Sequence, residues 1–354
     1  MKNIIDFRSD TVTLPTSKML NAIKNANLGD DVFQEDPTIN KLEKKAAELV
    51  GKEAALLVPS GTMGNLISIL VHCPRGTEII LGDKAHTFIY EAGGISAFGG
   101  IHSRQLKNQS DGTLEIKDIN SAIRMDNVHF PKTSAITLEN THNLCNGSPL
   151  TSKYCNDVAK IAHSNNMKLH IDGARIFNAS VALNQNIETL VEKVDSLTFC
   201  LSKGLSSPVG SIISGKEEFI YECRRIRKAL GGGMRQAGII AAAGIVALDT
   251  MIGQIQKDHS NAKYLANEIS NIDGLSIDLE NIKTNILYFD IDSNRRSNIL
   301  KKQTPKNAIY PLEIKLDNVH FFESYRNRFR VVTHSGINES DVERLIQGLK
   351  KMVK

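Results

Sequence analysis

Two apolar segments, each followed by a charged residue, decide the fold of this 354-residue chain: Leu169-His170-Ile171-Asp172 and Leu197-Thr198-Phe199-Cys200-Leu201-Ser202-Lys203. Both are short and lack a strict alternation of polar and apolar residues, which is typical of parallel strands covered by helices on both faces of a sheet. Asp172 precedes Lys203 by 31 positions, enough for one helix and one strand. Because parallel strands end at the same edge of a sheet, where ligands bind, we expect the two side chains to lie close together.

Strands and helices are predicted to alternate on both sides of these segments. Further strands are predicted at residues 54–58, 78–81, 135–138 and 209–213, and helices at 37–50, 63–71, 152–165 and about 236–252. Beyond about residue 255 we expect strands at 285–291 and 329–333, a polar surface segment at 293–306 and a terminal helix at 339–352. The pattern predicts the α/β class: a large domain, residues 1–255, with a mostly parallel sheet covered by helices, and a smaller C-terminal α+β domain, residues 256–354.

Composition and charge argue against several classes of function. The chain is 41% hydrophobic and 23% charged, which is ordinary for a globular protein, and its net charge is +4. It has no long basic block, no Trp and only 5% aromatic residues, so we expect no nucleic-acid partner. No apolar run reaches the length of a membrane span, and the N-terminus lacks the apolar core of a secretory signal, so we expect no membrane partner.

The five cysteines and the acidic residues suggest no metal site. No cysteine pair has CxxC spacing and the number is odd, which argues against a disulfide framework and a structural zinc site. This usage favours a reducing compartment, and we expect a cytoplasmic protein. No carboxylate cluster in the sequence demands a cation, so no metal is expected.

Lys203 and Asp172 each have a structural and a functional interpretation. A lysine at the end of an apolar strand usually reaches solvent, but a neutral lysine amine can form a Schiff base with an aldehyde. A buried carboxylate at a strand end needs a cationic partner. For Asp172 that partner is either Arg175 or the protonated ring nitrogen of pyridoxal 5'-phosphate (PLP), which must stay protonated to accept electrons.

Two further motifs are weak alone and stronger in combination. Ser60-Gly61-Thr62 lies between a predicted strand and helix, where backbone amides suit a phosphate, although such turns also serve as simple helix caps. His86 follows the strand at 78–81 and could lie on a cofactor ring, act as an acid or base, or merely begin a helix. The aspartate-aminotransferase-like fold binds PLP with four features in this order along the chain: a turn for the phosphate, an aromatic ring at a strand end, an Asp and a Lys. The turn at residues 60–62, His86, Asp172 and Lys203 follow that order.

The sequence also resembles the low-specificity L-threonine aldolases, which are PLP-dependent enzymes of fold type I. The resemblance covers most of the chain and is weakest from about residue 292 to 328. It rests on long motifs, which are specific: Arg8-Ser9-Asp10-Thr11-Val12-Thr13, Gly29-Asp30-Asp31-Val32, Pro59-Ser60-Gly61-Thr62-Met63-Gly64-Asn65, Glu139-Asn140-Thr141-His142-Asn143, His170-Ile171-Asp172-Gly173-Ala174-Arg175, Leu201-Ser202-Lys203-Gly204 and Gly231-Gly232-Gly233-Met234-Arg235-Gln236.

The resemblance implies a role for each candidate site residue. Lys203, with Ser202 beside it, would carry the cofactor, Asp172 would face the ring nitrogen and His86 would stack on the ring. Ser60, Gly61 and Thr62 would hold the phosphate, which Arg235 would reach from a neighbouring subunit. Ser9, Arg175 and Arg330 would bind the substrate carboxylate, Arg175 lying also at the cofactor, and His129 would lie near the β-hydroxyl. A guanidinium matches a carboxylate bidentately, which suits this assignment.

The implied reaction is the cleavage of L-threonine, L-allo-threonine and other β-hydroxy-α-amino acids to glycine and an aldehyde such as acetaldehyde. This reaction belongs to threonine breakdown and glycine formation. The proton acceptor is left open between His86, His129 and a bound water. The alternatives are β-elimination or transamination on the same fold, because the cofactor supplies the electron sink in all of them, or a non-catalytic binding protein on a degenerate scaffold. The missing GxGxxG turn disfavours a dehydrogenase.

The resemblance also implies an oligomeric state, and the sequence departs from the family pattern at two places. The implied state is a homotetramer, a dimer of dimers, with active sites at subunit interfaces. Phe33-Gln34 stands where the family often has Tyr-Gly, so any role of that phenol is absent here. The loop at residues 143–150 also departs from the usual pattern.

Overall fold

Two β-sheets with separate hydrophobic cores organise the chain in the computed structural model, which describes residues 4–304 and 307–353. Numbered in chain order, the strands are β1 (Ile5–Asp6), β2 (Ala54–Val58), β3 (Glu78–Gly82), β4 (His102–Leu106), β5 (Thr133–Glu139), β6 (Lys168–Asp172), β7 (Ser196–Cys200), β8 (Ser211–Gly215), β9 (Leu275–Ser276), β10 (Ile286–Ile291), β11 (Leu312–Leu316), β12 (Val319–Tyr325) and β13 (Arg328–Val332).

The α-helices surround these strands. They are α1 (Ser17–Lys24), α2 (Pro37–Val50), α3 (Gly61–His72), α4 (His86–Ile89), α5 (Gly94–Ala97), α6 (Ile116–Ala122), α7 (Ser152–Ser164), α8 (Ile176–Leu183), α9 (Ile187–Leu190), α10 (Glu217–Ala229), α11 (Gly238–Thr250), α12 (Ile255–Ser270), α13 (Asn298–Gln303) and α14 (Glu339–Met352). Among the described residues no single helix is long and apolar enough to cross a membrane; α11 and α12, bent by 49° at their junction, pass such a test together by length and composition alone.

The first sheet has seven strands in the order β2-β8-β7-β6-β5-β3-β4. All neighbours are parallel except β8, which is antiparallel to both β2 and β7. Every residue of β3, β5, β7 and β8 is buried, because helices cover both faces. The predicted mostly parallel α/β sheet is therefore confirmed.

Local sequence explains where the helices begin and end, as α2 illustrates. The Asp36 carboxylate accepts hydrogen bonds from the amides of Thr38 and Ile39, and Pro37 occupies the first turn, where it loses no helical hydrogen bond. The helix ends at Gly51, whose φ of 64° is the left-handed conformation that glycine adopts at low cost. Its buried side chains recur at the helical period, so α2 packs one apolar face against the sheet.

The second sheet has the order β1-β12-β13-β10-β9, with β11 paired to β12, and its core packs against α12 and α14. The structure confirms the strands predicted at 285–291 and 329–333 and the helix predicted at 339–352. It also confirms that the chain beyond residue 255 contains both helices and strands, as expected for an α+β arrangement. The polar segment at 293–306 contains α13; residues 305 and 306 lie outside the described part of the chain.

The first strand of the chain departs from the predicted division at residue 255. Ile5 and Asp6 of β1 pair in parallel with Val319 and His320 of β12, and Ile5 and Phe7 are buried in the core of the second sheet. The sequence of a short apolar segment does not indicate which sheet it joins. Only the tertiary contact with β12 shows that β1 belongs to the second sheet. Residues 1–255 thus do not all pack with the first sheet, and the exact domain bounds stay a prediction.

Candidate functional site

A cavity of ≈ 570 Å³ lies at the carboxyl edge of the first sheet, where the second sheet covers it. Five of the predicted site residues line it: Ser9, His86, Arg175, Lys203 and Arg330. They come from elements far apart in the sequence, since parallel strands end together at this edge. The cavity is thus where the structure brings these five candidate residues together.

Lys203 lies in the loop that follows β7, half-buried, and its side chain lines the cavity. Its backbone carbonyl accepts hydrogen bonds from the Thr13 hydroxyl (3.0 Å) and the Ser206 amide (2.8 Å), which fix the loop. A half-buried lysine that lines a cavity is compatible with both interpretations, so the role of Lys203 stays a prediction.

Asp172 ends β6, next to β7, with 3% of its surface exposed. Its Oδ2 accepts a hydrogen bond from Asn65 Nδ2 (2.9 Å) and its Oδ1 from the Ala174 amide (3.0 Å). Among the described residues no cationic side chain forms an ion pair with this carboxylate.

The alternative that Arg175 is the partner of Asp172 is wrong. Arg175 binds the fully buried Asp10 instead, through Nε–Oδ2 (2.7 Å) and Nη2–Oδ1 (2.8 Å). Burial alone would raise the pKa of Asp10, but the Arg175 guanidinium beside it holds that pKa well below its usual range. Two of the three guanidinium nitrogens of Arg175 are thus occupied, and its role in binding a carboxylate stays a prediction.

His86 begins α4, and its side chain contacts a carboxylate that the sequence did not flag. Its amide donates to Glu139 Oε2 (2.8 Å), and its ring Nδ1 lies 2.9 Å from Glu91 Oε1. Burial lowers the pKa of His86, but the hydrogen bond to Glu91 and the charge of Asp172 outweigh it and raise the pKa. Burial likewise raises the pKa of Glu91. The ring is therefore held by a buried carboxyl group at one side of the cavity.

Ser60, Gly61 and Thr62 form the turn from β2 into α3. Because β2 runs in the same direction as β6 and β7, this turn lies at the edge that holds Asp172 and Lys203. Ser60 Oγ accepts from the Met63 amide, so the helix-cap interpretation is correct for this side chain. A Cβ on Gly61 would lie 2.9 Å from Cys200 Sγ, which explains the glycine, because the turn packs directly against the end of β7. Phosphate binding by this helix start stays a prediction.

Arg330 lies on β13 between Phe322 of β12 and Tyr288 of β10. Its Nη1 donates to the Arg8 carbonyl (2.8 Å) and its Nη2 to Asn143 Oδ1 (2.9 Å). Its Nε is buried and has no partner among the described residues. Burial lowers the pKa of Arg330. A half-buried guanidinium with free donor capacity, on the same cavity as Ser9, suits an anionic ligand group.

His129 and Arg235 do not line the cavity of their own chain. His129 lies in an exposed loop just before β5, at the amino edge of the sheet and thus opposite Asp172 and Lys203. Arg235 is half exposed and pairs with Asp30 (3.0 Å). His129 therefore cannot reach the predicted position near the β-hydroxyl within one chain, because the length of β5 separates the amino edge of the sheet from the carboxyl edge.

Comparison with known proteins places the chain in a family. The beta-eliminating lyase family model matches residues 6–292. The chain is 46% identical to the probable low-specificity L-threonine aldolase 2 of Arabidopsis thaliana, over 98% of this chain and 97% of that protein. It is 42% identical to the low specificity L-threonine aldolase of Escherichia coli K12, over 86% of this chain and 90% of that protein. This chain belongs to the low-specificity L-threonine aldolases.

The fold of this aldolase family member agrees with a solved structure. A threonine aldolase of Leishmania major superposes with a TM-score of 0.79 at 17% identity, covering 99% of this chain and 100% of that one. At that identity the likeness concerns the fold alone, and it confirms the predicted fold type I architecture.

Sequence reasoning missed several polar residues that organise this aldolase site: Asp10, Asn65, Glu91, Glu139 and Asn143. Asn65 and Glu91 are almost fully buried, and Glu139 accepts from the amides of both His86 and Asn143. A signal was present for two of them. Asn65 stands among apolar residues of α3, and Glu139 ends a strand in the same way as Asp172. Buried polar side chains need partners, so such positions point to a site.

One side-chain group in the aldolase site has the geometry for a cation. The ligand atoms of His86, Glu91 and Asp172 lie within 4.8 Å of one another. Two of them, His86 and Asp172, are the side chains to which the sequence assigns the cofactor ring, so a cation bound by this group would exclude that use. The expectation of no metal stays a prediction.

Proposed function

We propose that this chain binds PLP on Lys203 and cleaves L-threonine, L-allo-threonine and other β-hydroxy-α-amino acids to glycine and an aldehyde. One observation carries the proposal: Lys203, His86 and Arg330 surround a single cavity, and Asp172 ends the strand next to the one that carries Lys203. The names of the relatives at 42–46% identity support the same reaction.

The residues present fit PLP. The Asp172 carboxylate is buried and has no ion-pair partner among the described residues, and a buried charge of this kind needs a cation. A protonated pyridine nitrogen would be that cation, Lys203 would bind the aldehyde group covalently, and the amides at the start of α3 would bind the phosphate. When bound, the cofactor supplies the electron sink that stabilises a carbanion at Cα.

The protein side chains bind and orient the amino acid. Arg330, with Ser9 beside it, binds the carboxylate, which fixes the orientation of Cα and its substituents. The proton of the β-hydroxyl goes to His86, to His129 of another subunit or to a bound water. His86 is the only one of these groups on the cavity of its own chain, and Glu91 holds its Nδ1.

We further propose a homotetramer, a dimer of dimers with shared active sites, in the cytoplasm. The loop that carries His129 exposes apolar side chains: Val128 is 98% exposed and Met125 73% exposed. Exposed apolar side chains favour contact with another surface. A second copy of the chain would cover them and could bring His129 and Arg235 to a neighbouring cavity, which neither reaches in its own chain.

The first test measures acetaldehyde and glycine released from L-threonine and from L-allo-threonine by the PLP-loaded protein, with no keto acid present. We expect stoichiometric release that depends on PLP. Formation of ammonia and a keto acid would indicate β-elimination instead. Turnover that appears only with added keto acid would indicate transamination.

Lys203→Ala is expected to reduce aldehyde release to background, because no other residue described at the cavity offers an amine for covalent binding of the cofactor. Aldehyde release and the absorbance of the lysine-bound cofactor are measured together. Lys153→Ala removes an exposed lysine that pairs with Asp157 on α7 and serves as the control. Near-wild-type turnover of Lys203→Ala would contradict the assignment.

A further inference from the structure

A chain of hydrogen bonds, buried except at its last link, runs from Asp172 to His72 at the end of α3. Asn65, which is 1% exposed, donates from Nδ2 to Asp172 Oδ2 (2.9 Å), and its Oδ1 lies 3.2 Å from His170 Nε2. His170 Nδ1 lies 2.8 Å from Ser196 Oγ, which in turn lies 2.7 Å from His72 Nε2. Five side chains from α3, β6 and β7 thus form one connected path that ends on the Asp172 carboxylate.

The hydrogen positions along this path follow from donor and acceptor counts. Both hydrogens of the Asn65 amide are used, one to Asp172 and one to Glu91 Oε1 (2.9 Å), so its oxygen must accept from His170. Burial lowers the pKa of His170 to about 4 and that of His72 to about 3, so each ring is neutral and has a single N–H. His170 then donates from Nε2 and accepts at Nδ1 from the Ser196 hydroxyl, which itself accepts from His72.

Every hydrogen along the path therefore faces Asp172. Hydrogen bonds in a buried chain polarise one another, and a hydrogen bond donated to a carboxylate favours its ionised form. The arrangement offsets part of the cost of burying an Asp172 that has no ion-pair partner among the described residues. Deleting Asn65 would leave Asp172 Oδ2 without this hydrogen bond, so the carboxylate would draw more strongly on the proton of a group bound to it.

Asn65 also ties Asp172 to the opposite side of the cavity. Its second N–H binds Glu91 Oε1, the same oxygen that lies 2.9 Å from His86 Nδ1. One buried amide thus fixes the rotamers of both Asp172 and Glu91. Because Asn65 does not line the cavity, it acts through these residues and not on a substrate.

We propose that Asn65 and His170 are positioning residues that hold Asp172 ionised and so keep the proton on the ring nitrogen of bound PLP. The inference rests on the proposed function, since it needs PLP at Asp172. The hydrogen-bonded path from His72 to Asp172 would thus keep the ring nitrogen of the cofactor protonated. Stabilisation of a carbanion depends on that proton.

The test reads the ring nitrogen directly. The ¹⁵N chemical shift of ring-labelled PLP is measured in the wild-type holoenzyme and in Asn65→Ala and His170→Phe. We expect a protonated ring nitrogen in the wild type and a shift towards the neutral ring in both variants. We also expect kcat for L-threonine to fall about tenfold or more, with KM within about twofold because Arg330 is untouched.

Matched variants separate this role from a loss of packing. His170→Gln keeps an N–H donor for Asn65 and is expected to restore the protonated signal, whereas Ser196→Ala, which removes only a hydroxyl, should give a smaller shift. His163→Phe removes an exposed imidazole that pairs with Asp195 (2.8 Å) and should behave as wild type. Thermal melting of each variant verifies that it folds. If Asn65→Ala or His170→Phe does not fold, the ¹⁵N shifts of the more conservative variants Ser196→Ala and His170→Gln still test the inference.

The outcomes distinguish the two proposals. A wild-type protein that takes up no PLP, or shows no protonated ring nitrogen, contradicts the assignment of PLP to Asp172 in the proposed function. A protonated wild-type ring that stays protonated in Asn65→Ala, His170→Phe and Ser196→Ala, with kcat unchanged, overturns the inference and leaves the proposed function intact.

Discussion

At the residue scale, three buried aspartates show how environment sets the state of one side-chain type. Asp10 is paired with Arg175, and Asp172 accepts two hydrogen bonds but has no ion pair among the described residues. Asp258, on α12, accepts from Gln254 (3.1 Å) at one oxygen, and its other oxygen has no partner in the described part of the chain. Burial, aided by the charge of Asp10, raises the pKa of Asp258 to about 7. Of the three, only Asp10 and Asp172 lie at the proposed active site.

Asp258→Asn is expected to remove a pH dependence of stability. A carboxyl whose pKa is raised in the folded state binds a proton there that the unfolded chain has already lost, so the wild type loses stability as pH rises from about 4 to about 7. At about 1.4 kcal/mol per pKa unit, the loss reaches at most about 4 kcal/mol. Urea unfolding between pH 4.5 and 8 measures it.

The Asp258→Asn variant should show a flatter profile over that pH range and higher stability than wild type at pH 8. Asp157→Asn, at an exposed position on α7, is the control and should leave the profile unchanged. Parallel profiles for wild type and Asp258→Asn would contradict the assignment of Asp258 as the titrating group.

At the scale of elements, the turn before α2 holds a non-glycine residue in a left-handed conformation. Gln34 has a φ of 59°, in the left-handed region that glycine adopts easily. A glycine would adopt this backbone conformation without strain, whereas Gln34 has a Cβ that makes it costly. The Gln34 amide donates to the Asp31 carbonyl and its carbonyl accepts from Asn40, which holds the strained conformation in place.

Gln34→Gly is expected to stabilise the protein by about 0.5–1 kcal/mol, because relief of the left-handed strain exceeds the entropy cost of glycine. Thermal unfolding of the holoenzyme measures the change. Gln34→Ala keeps the strain while removing the side-chain amide, so it should be no more stable than wild type. Equal stabilisation by both substitutions would mean that the side chain, and not the backbone, is the source of strain.

The same scale explains which elements could be predicted from the sequence. Strands β2, β3, β5, β6 and β7 are apolar runs covered on both faces, and sequence alone located them within a few residues. The edge strand β4 and the strands β11 and β12 were missed. β4 is largely exposed and its polar sequence gives no strand signal, so its pairing with β3 decides it. Strand β11 does alternate apolar and polar residues, so a signal was present there and was not used.

At the scale of the whole molecule, two of the residues assigned to the site lie away from the cavity of their own chain. His129 lies at the amino edge of the sheet and Arg235 on the surface, whereas Lys203 and Asp172 are at the carboxyl edge. A site that uses all four residues must combine copies of the chain. Closed symmetric assemblies make such sharing reciprocal.

Co-expression of two inactive variants tests the sharing. Lys203→Ala and His129→Ala, carried on differently tagged chains, are purified as mixed oligomers and assayed for acetaldehyde. In a mixed dimer one site has Lys203 from one chain and His129 from the other, whereas the second site lacks both residues, so about half of wild-type activity is expected. Lys203→Ala mixed with Asp172→Ala is the control and should stay inactive, because those two residues serve the same cavity of one chain.

Two results would contradict this prediction. Full activity of His129→Ala alone would remove His129 from the reaction. An inactive His129→Ala that is not complemented by Lys203→Ala would show that the loop acts within its own chain, against the position that the structure gives it.

By itself the sequence determined the sheet class, the strand ends that carry Asp172 and Lys203, the turn at Ser60-Gly61-Thr62 and the family. These features are local: they depend on apolar runs, on residues that begin or end helices, and on motifs contiguous in the chain. Only the tertiary structure decided that Arg175 pairs with Asp10 and not with Asp172, that β1 joins the second sheet, that Asn65 connects Asp172 with Glu91, and that His129 lies at the opposite edge. Those contacts join residues up to hundreds of positions apart, and a buried polar group takes whichever partner the packing of the folded chain brings within hydrogen-bond distance.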